Sequence, residues 1–184
     1  MNHRQPDVVT VAVSRVDGGV TIMRVITVEY APDPTDSTKR IITRQMDPTP
    51  EYIDSLIAKY VNDGHWVGGY TPTGWRFVPN DYLDEATDRT FRNAWKDAPG
   101  RNKPDVDMPK ARELHKEHLR NLRAPLLETL DTEYLLADEE NDQNKKKDVA
   151  ARKKALRDVT THPEIEAAAT PDELKQAGLG VLNG

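Results

Sequence analysis

The chain has 184 residues, 31% of them charged, a formal net charge of -5 and no cysteine. This length holds one ordinary domain, or a small domain with a helical appendage, and the missing cysteines exclude disulfides, thiolate catalysis and cysteine-bound zinc. Basic residues interleaved with acids argue against affinity from phosphate neutralisation, so no nucleic-acid partner is expected; no apolar run approaches the roughly 20 residues of a membrane span, so no membrane partner is expected either.

The start, MNHRQPDVV, has no apolar core of a secretory signal, and synthesis in a cytoplasm without export is the expectation. Val8 to Val16 alternates Val9, Val11 and Val13 with smaller or polar residues, and Val20 to Tyr30 is similarly β-branched. Asp17-Gly18-Gly19 between them supplies the positive φ of a hairpin bend. Because two strands alone are marginal, a third is needed, and Lys39 to Arg44 is the candidate. The prolines and turn formers of Ala31 to Thr38 predict a loop before it.

Thr49-Pro50-Glu51 opens a helix: a cap, a residue tolerated in the first turn, and an acid at the positive end. Its stripe of Tyr52, Ile53, Leu56, Ile57, Tyr60 and Val61 is expected to cover one face of the hairpin. Beyond Asn62-Asp63-Gly64, the aromatics Trp66, Tyr70, Trp75 and Phe77 lie among turn residues, with two short strands expected around Thr71 to Gly74. These aromatics fit either a small domain's core or a platform for a sugar or peptide. Asp88 to Trp95 reads as a short helix capped by Asp88, and Pro99 to Pro104 as a boundary between a β-rich module at 1–100 and a helical part at 101–184.

The second part is organised around Asp107 to Val159. Apolar residues at Met108, Ala111, Leu114, Leu119, Leu122, Leu126, Leu130, Tyr134 and Leu135, then Val149, Ala150, Leu156 and Val159, recur mostly every three or four residues. Glu139 to Asp142 has no apolar residue and weak helix formers, so the two arms become an antiparallel helical hairpin. Asp107 caps the first arm. Pro125 in its interior predicts a kink or break at Arg123-Ala124. Thr170-Pro171-Asp172-Glu173 is a capping box opening a last short helix that Gly178 ends, and the final GLGVLNG is expected to be loose without a partner. The fold class is therefore α+β: a small antiparallel β-rich module with one covering helix, then a helical hairpin and a short C-terminal helix.

Chemistry is sparse. His115 and His118 are three apart on a helix but lack a third ligand, so no metal or cofactor is expected. Asp81, Asp84, Glu85 and Asp88, and the acids of Asp138 to Asp142, read as caps and solvated turns; Asp81, Asp84 or Asp88 beside Trp75 also form the basis of a rival reading, a glycan-active or glycan-binding region at 64–88. Lys145-Lys146-Lys147 and Arg152-Lys153-Lys154 read as a solvated helix face. Glycines 64, 68, 69 and 74 match no dinucleotide or phosphate-loop spacing, and no serine nucleophile elbow is present. No catalytic residue is assigned, and the chain is expected not to be an enzyme.

Four ordered segments, DRTFRNAW (88–95), VDMPKARELHKEHLRNLRAPLLETLDTEYLLADEEND (106–142), KKDVAARKKALRDV (146–159) and AAATPDELK (167–175), resemble the carboxy-terminal half of the phage tail assembly chaperone family, small proteins encoded beside tail-fibre genes. The resemblance implies a non-enzymatic phage protein that binds a tail or tail-fibre component, in the virion tail or in the host cytoplasm during assembly, as a virion part or an assembly chaperone. A homo-oligomer is a further partner class. Leu119, Leu122, Leu126, Leu127 and Leu130 surround more than one face of the first arm, more than one return helix covers. They are the expected contact residues, with Leu122, Leu126 and Leu130 also assigned to the hairpin's own core. Trp66, Tyr70 and Trp75 form a second expected contact surface.

Overall fold

A computed structural model describes residues 8–64, 71–83, 87–101 and 103–183. The fold is α+β: antiparallel sheets in the N-terminal part, helices in the C-terminal part. The chain divides into two compact units, Met1–Asp105 and Val106–Gly184.

In the first unit β1 (Val8–Arg15) is the middle strand of a three-stranded antiparallel sheet, between β2 (Val20–Ile26) and β5 (Pro72–Val78). The β1–β2 hairpin forms where the glycines predict it. The Gly18 amide donates to the Arg15 carbonyl at 3.0 Å, Gly18 lies at φ 75°, and the Arg15 amide closes the loop on the Gly19 carbonyl at 2.9 Å. The third strand is β5, not Lys39 to Arg44: β1 pairs Val11 with Phe77 and Val13 with Trp75. Of the two short strands expected around Thr71 to Gly74, β5 with Pro72 at its start is the one among the described residues; residues 65–70 before it lie outside them.

The run from Val20 to Tyr30 is also divided. Thr27, fully buried, separates β2 from β3 (Val28–Asp33), which pairs with β4 (Asp36–Gln45) in a separate two-stranded ribbon. Most of the predicted loop from Ala31 to Thr38 is therefore strand, turning only at Pro34-Thr35. Pro32 fits because a two-stranded ribbon has free edges, where a missing N–H leaves no ladder partner unsatisfied.

α1 (Pro50–Asn62) begins as its cap predicts, with Thr49 Oγ1 accepting from the Tyr52 amide at 3.3 Å. Ile53 and Ile57 pack on Val11, Val13 and Val25, flanked by Tyr52, Leu56 and Trp75. The stripe's end does not join them: Tyr60 and Val61 are exposed. The opposite sheet face carries Thr10, Arg24 and Arg76 and is tied to the segment after β5. Thr10 Oγ1 donates to Asn80, Arg24 to the Leu83 carbonyl at 2.9 Å, and Arg76 pairs with Asp97 at 2.7 Å, its guanidinium lying over the buried Tyr82 ring. Burial and the Asp97 charge push the Tyr82 phenol above its ordinary value. Both faces of β1 are thus covered, and Thr10 to Val13 are buried in an unbroken run.

The predicted helix at 88–95 is a single 3-10 turn, Arg92–Ala94. Asp88 accepts from the Thr90 amide and hydroxyl, at 2.9 and 2.7 Å, in a local turn that competes with a helix start. Trp95 then enters β6 (Trp95–Lys96), which pairs with the two-residue β7 (Asp105–Val106).

The second unit is built on α2 (Met108–Glu139) and α3 (Gln143–Asp158), the predicted helical hairpin. Asp107 accepts from the Lys110 amide and Asp142 from the amides of Asn144 and Lys145, so each helix starts on an aspartate cap. Asn141, between them, takes a left-handed φ of 56°. α2 is not broken at Arg123-Ala124 but runs continuously through Pro125, whose neighbours Asn121 and Ala124 are exposed. The Asn121 carbonyl, deprived of the Pro125 N–H, lies on that exposed stretch. Three short helices follow: α4 (Pro163–Ala167), α5 (Pro171–Gln176) and α6 (Leu179–Leu182). The Thr170/Glu173 capping box forms as predicted, and Gly178 turns the chain at φ 77°. The end of the chain is not loose, since Val181 and Leu182 pack against the Leu130, Val149 and Leu156 cluster.

Candidate docking surface

The hairpin's inner face is built by α2 residues on the side facing α3. Leu130 is buried against Val149 and Leu156, with Leu126, Leu127 and Tyr134 half-buried around them. Leu119 is fully buried in the chain's own packing, its methyl 3.5 Å from the position of a Cβ on Gly178. Leu119 and Leu130 are therefore core residues that present nothing to a partner in this conformation. Leu122 is the reverse: assigned to the hairpin core from its spacing, it is 39% exposed.

Ion pairs seal the hairpin's edges. Lys146 pairs with Asp138, Lys153 with Asp131, Arg152 with Glu133 at 3.3 Å and Lys145 with Glu140 at 3.5 Å. The Nζ atoms of Lys146 and Lys153 lie 5.4 and 5.3 Å from the Tyr134 ring centroid. The lysine-rich run is thus largely engaged with α2 and is not simply a solvated face. The sequence carried a signal for this: from Ala124 to Asp142 there is no basic residue to neutralise seven acids.

Two arginines close helix ends. Arg123 donates to the Leu156 and Arg157 carbonyls at the end of α3, and Arg112 to the Ile165 and Ala168 carbonyls at the end of α4. Lys116 bridges Glu113 and Glu166, each at 2.9 Å. Its hydrogen bonds to Glu113 and Glu166 raise the Lys116 pKa, and the same bond lowers that of Glu166. His115 is buried, with Nε2 2.8 Å from the Ala177 carbonyl, to which it donates. His118 is exposed, with its ring 6.4 Å from that of His115. The pair forms no metal cluster, and no group of three or more potential ligands occurs among the described residues.

What α2 leaves open has a regular form. His118, Leu122, Pro125, Thr129, Thr132 and Leu136 follow at spacings of 4, 3, 4, 3 and 4 and all are exposed. These are the steps of a heptad seam. The two preceding seam positions, Ala111 and His115, are buried, and His115 is bonded to the end of α5. One line of α2 is therefore covered by the chain itself at its start and bare beyond, over about 27 Å. Leu135 beside it is 63% exposed and Leu136 48%. From His118 to Leu136 the line holds no Asp, Glu, Lys or Arg, in a chain where nearly a third of residues are one of these; the next step of three reaches Glu139.

The second expected surface is only partly described. Trp66 and Tyr70 lie outside the described residues, as do Asp84 and Glu85. Trp75 is half-buried on the α1 core, donates its indole N–H to Asp54 at 2.6 Å, and meets Phe77 edge-to-face at 5.1 Å. Phe77 is 44% exposed. The carboxylate beside Trp75 is thus Asp54 on α1; Asp88 is engaged by Thr90, and Asp81 is exposed.

Within the second unit a cleft of ≈ 860 Å³ is lined by His162, Glu164, Asp172, Glu173, Gly178 and their neighbours. Its acids have structural partners: Glu164 accepts from the Gly178 amide at 3.2 Å, Glu173 completes the capping box, and Asp172 pairs with Lys175. No helix among the described residues is long and apolar enough to cross a membrane. Comparisons with family models, with curated proteins and with solved structures gave no significant match.

Proposed function

We propose that this chain is a non-enzymatic, protein-binding phage tail component that engages a tail or tail-fibre polypeptide, as a virion part or as an assembly chaperone. The observation that carries the protein-binding part is the bare heptad line of α2, on a helix otherwise occupied by caps, ion pairs and core contacts. A long uncharged line on a charged helix fits a groove or helix of another protein better than it fits water. The phage assignment rests on the four ordered segments between Asp88 and Lys175, three of which supply α2, α3 and the start of α5.

The glycan reading has one observation in its favour, the exposed Phe77 edge-on to Trp75. It has less support, because the indole N–H and Asp54 are used on each other.

Co-expression with the tail-fibre polypeptide encoded beside this chain tests the proposal. A stoichiometric complex on size-exclusion chromatography, weakened by Leu122→Lys, is expected. Failure of the two to associate, or an intact complex with Leu122→Lys, argues against it. Peptides of this chain in purified particles would separate a virion component from a transient chaperone.

A further inference from the structure

The flank of the bare α2 line is acidic, and part of that charge is unused. Asp131, Glu133, Asp138 and Glu140 face α3 cations, and Asp142 caps α3. Among the described residues no ion pair reaches Glu128 or Glu139. Glu128 lies on the flank beside Thr129, and Glu139, three residues past Leu136, is the step at which the 4-and-3 spacing of the line reaches an acid. The occupant of the line must therefore match a heptad spacing and bring positive charge beside Glu128 and at the Glu139 end.

A second copy of this chain fails the charge requirement in either direction. In an antiparallel two-fold pairing of residues 118–136 the axis falls near residue 127, and Glu128 meets its own symmetry mate. In a parallel pairing Glu139, the next step of the line, meets its own mate across the seam. Acid faces acid both ways, which disfavours self-association.

We infer that the bare line of α2 docks an amphipathic α-helix of a different protein, with an uncharged heptad seam along His118 to Leu136 and lysine or arginine where it meets Glu128 and Glu139. The inference rests on the protein-binding reading above and names the chemistry of its partner. Ala111 and His115 show how the line is used inside the chain, where short helical segments cover it. The partner helix continues that cover along His118 to Leu136. Because a straight helix drifts relative to a seven-residue repeat, the two helices wrap with a left-handed twist.

The test uses the full chain and two synthetic helical peptides of about three heptads with one Leu/Ala seam, differing only in lysine or glutamate at the positions that meet Glu128 and Glu139. Fluorescence anisotropy is expected to show the lysine peptide binding about tenfold more tightly, from the two ion pairs with Glu128 and Glu139, with the difference shrinking as salt rises. Glu128→Lys with Glu139→Lys is expected to reverse the preference. Leu122→Lys with Leu136→Lys is expected to abolish binding of both peptides while leaving the urea midpoint unchanged, since these side chains are exposed. Equal binding of the two peptides, or binding of neither, overturns the inference. So does concentration-dependent dimerisation of the chain that Leu122→Lys removes, because it makes the occupant a second copy. If the tail-fibre complex forms while both peptides fail, the seam inference falls and the functional reading stands. If the lysine peptide binds as expected and no tail-fibre polypeptide does, the phage assignment falls and the seam inference stands.

Discussion

The β3–β4 ribbon and the α2–α3 hairpin both leave apolar side chains in water, yet they do so for different reasons. In the ribbon Tyr30 pairs with Ile42 across one face and Ala31 with Ile41 across the other. Tyr30 and Ile41 are 46% and 41% exposed, and of its residues with described burial only Val28 is buried. These cross-strand contacts are the ribbon's own stabilisation, because a two-stranded element has no other layer to lean on. In the helical hairpin each arm satisfies its backbone internally, and the Leu130, Val149 and Leu156 cluster holds the arms together. Leu122 and Leu136 are then surplus to folding. Exposed apolar surface identifies a docking site only where the element holding it is stable without it.

That distinction is broken or sharpened first at the cluster. Leu130→Ala is expected to lower the unfolding free energy of the helical unit by about 2 to 5 kcal/mol, the range for cavity formation in a closed core. Leu122→Ala, eight residues earlier, is expected to change it by less than about 0.5 kcal/mol. Urea denaturation followed by helical circular dichroism measures both. Equal effects would mean that Leu122 is part of the core after all.

Gly178 is next in size. It sits at φ 77°, and a Cβ there would approach a Val159 methyl to 3.3 Å and a Leu119 methyl to 3.5 Å. Gly178→Ala is expected to cost about 1 to 2 kcal/mol from the left-handed backbone alone. Hydrogen exchange should then quicken in α6, which lies on the hairpin cluster. Asp142→Ala removes the α3 cap, at a cost of about 1 kcal/mol, read in the same denaturation experiment.

Local rules explain which parts were legible in the sequence. Thr49, Asp107 and the Thr170/Glu173 box act within three or four residues of themselves, and each starts a helix where it predicts one. The Asp17 to Gly19 bend is equally local. Misreadings fell where the answer depended on distant residues. Val20 to Tyr30 is one β-branched run, and nothing inside it shows that the chain changes sheet at Thr27. Pro32 favours a loop, and it is tolerable in a strand because no further strand pairs with the ribbon among the described residues. Leu122 and Leu130 carry the same periodic signal, and only the positions of α3 and α6 decide which is buried. The expected contact set was accordingly mixed: Leu122 is exposed, Leu126 and Leu127 are half-buried, and Leu119 and Leu130 are core.

The smallest expected effects lie at the ribbon and complete the contrast. Tyr30→Ala is expected to cost about 0.2 to 1 kcal/mol, appearing as faster exchange of β3 and β4 amides with α2 unaffected. The ribbon's tip also depends on pH. Asp33 accepts from the Thr35 hydroxyl at 2.6 Å and its amide at 2.8 Å, and Asp36 accepts from the Thr38 hydroxyl at 2.6 Å. These bonds, the hydroxyl one first in each case, hold both carboxyls below their ordinary value of 3.8. A carboxyl with a depressed pKa stabilises the fold above its ordinary value, and that contribution disappears as pH falls through the folded one. Exchange at the Thr35 and Thr38 amides should therefore quicken relative to the intrinsic rate as pH drops below 3.8, and Asp33→Asn with Asp36→Asn should flatten that dependence. A double variant with an unchanged pH profile would show that cross-strand packing, and not the aspartate turns, holds the tip.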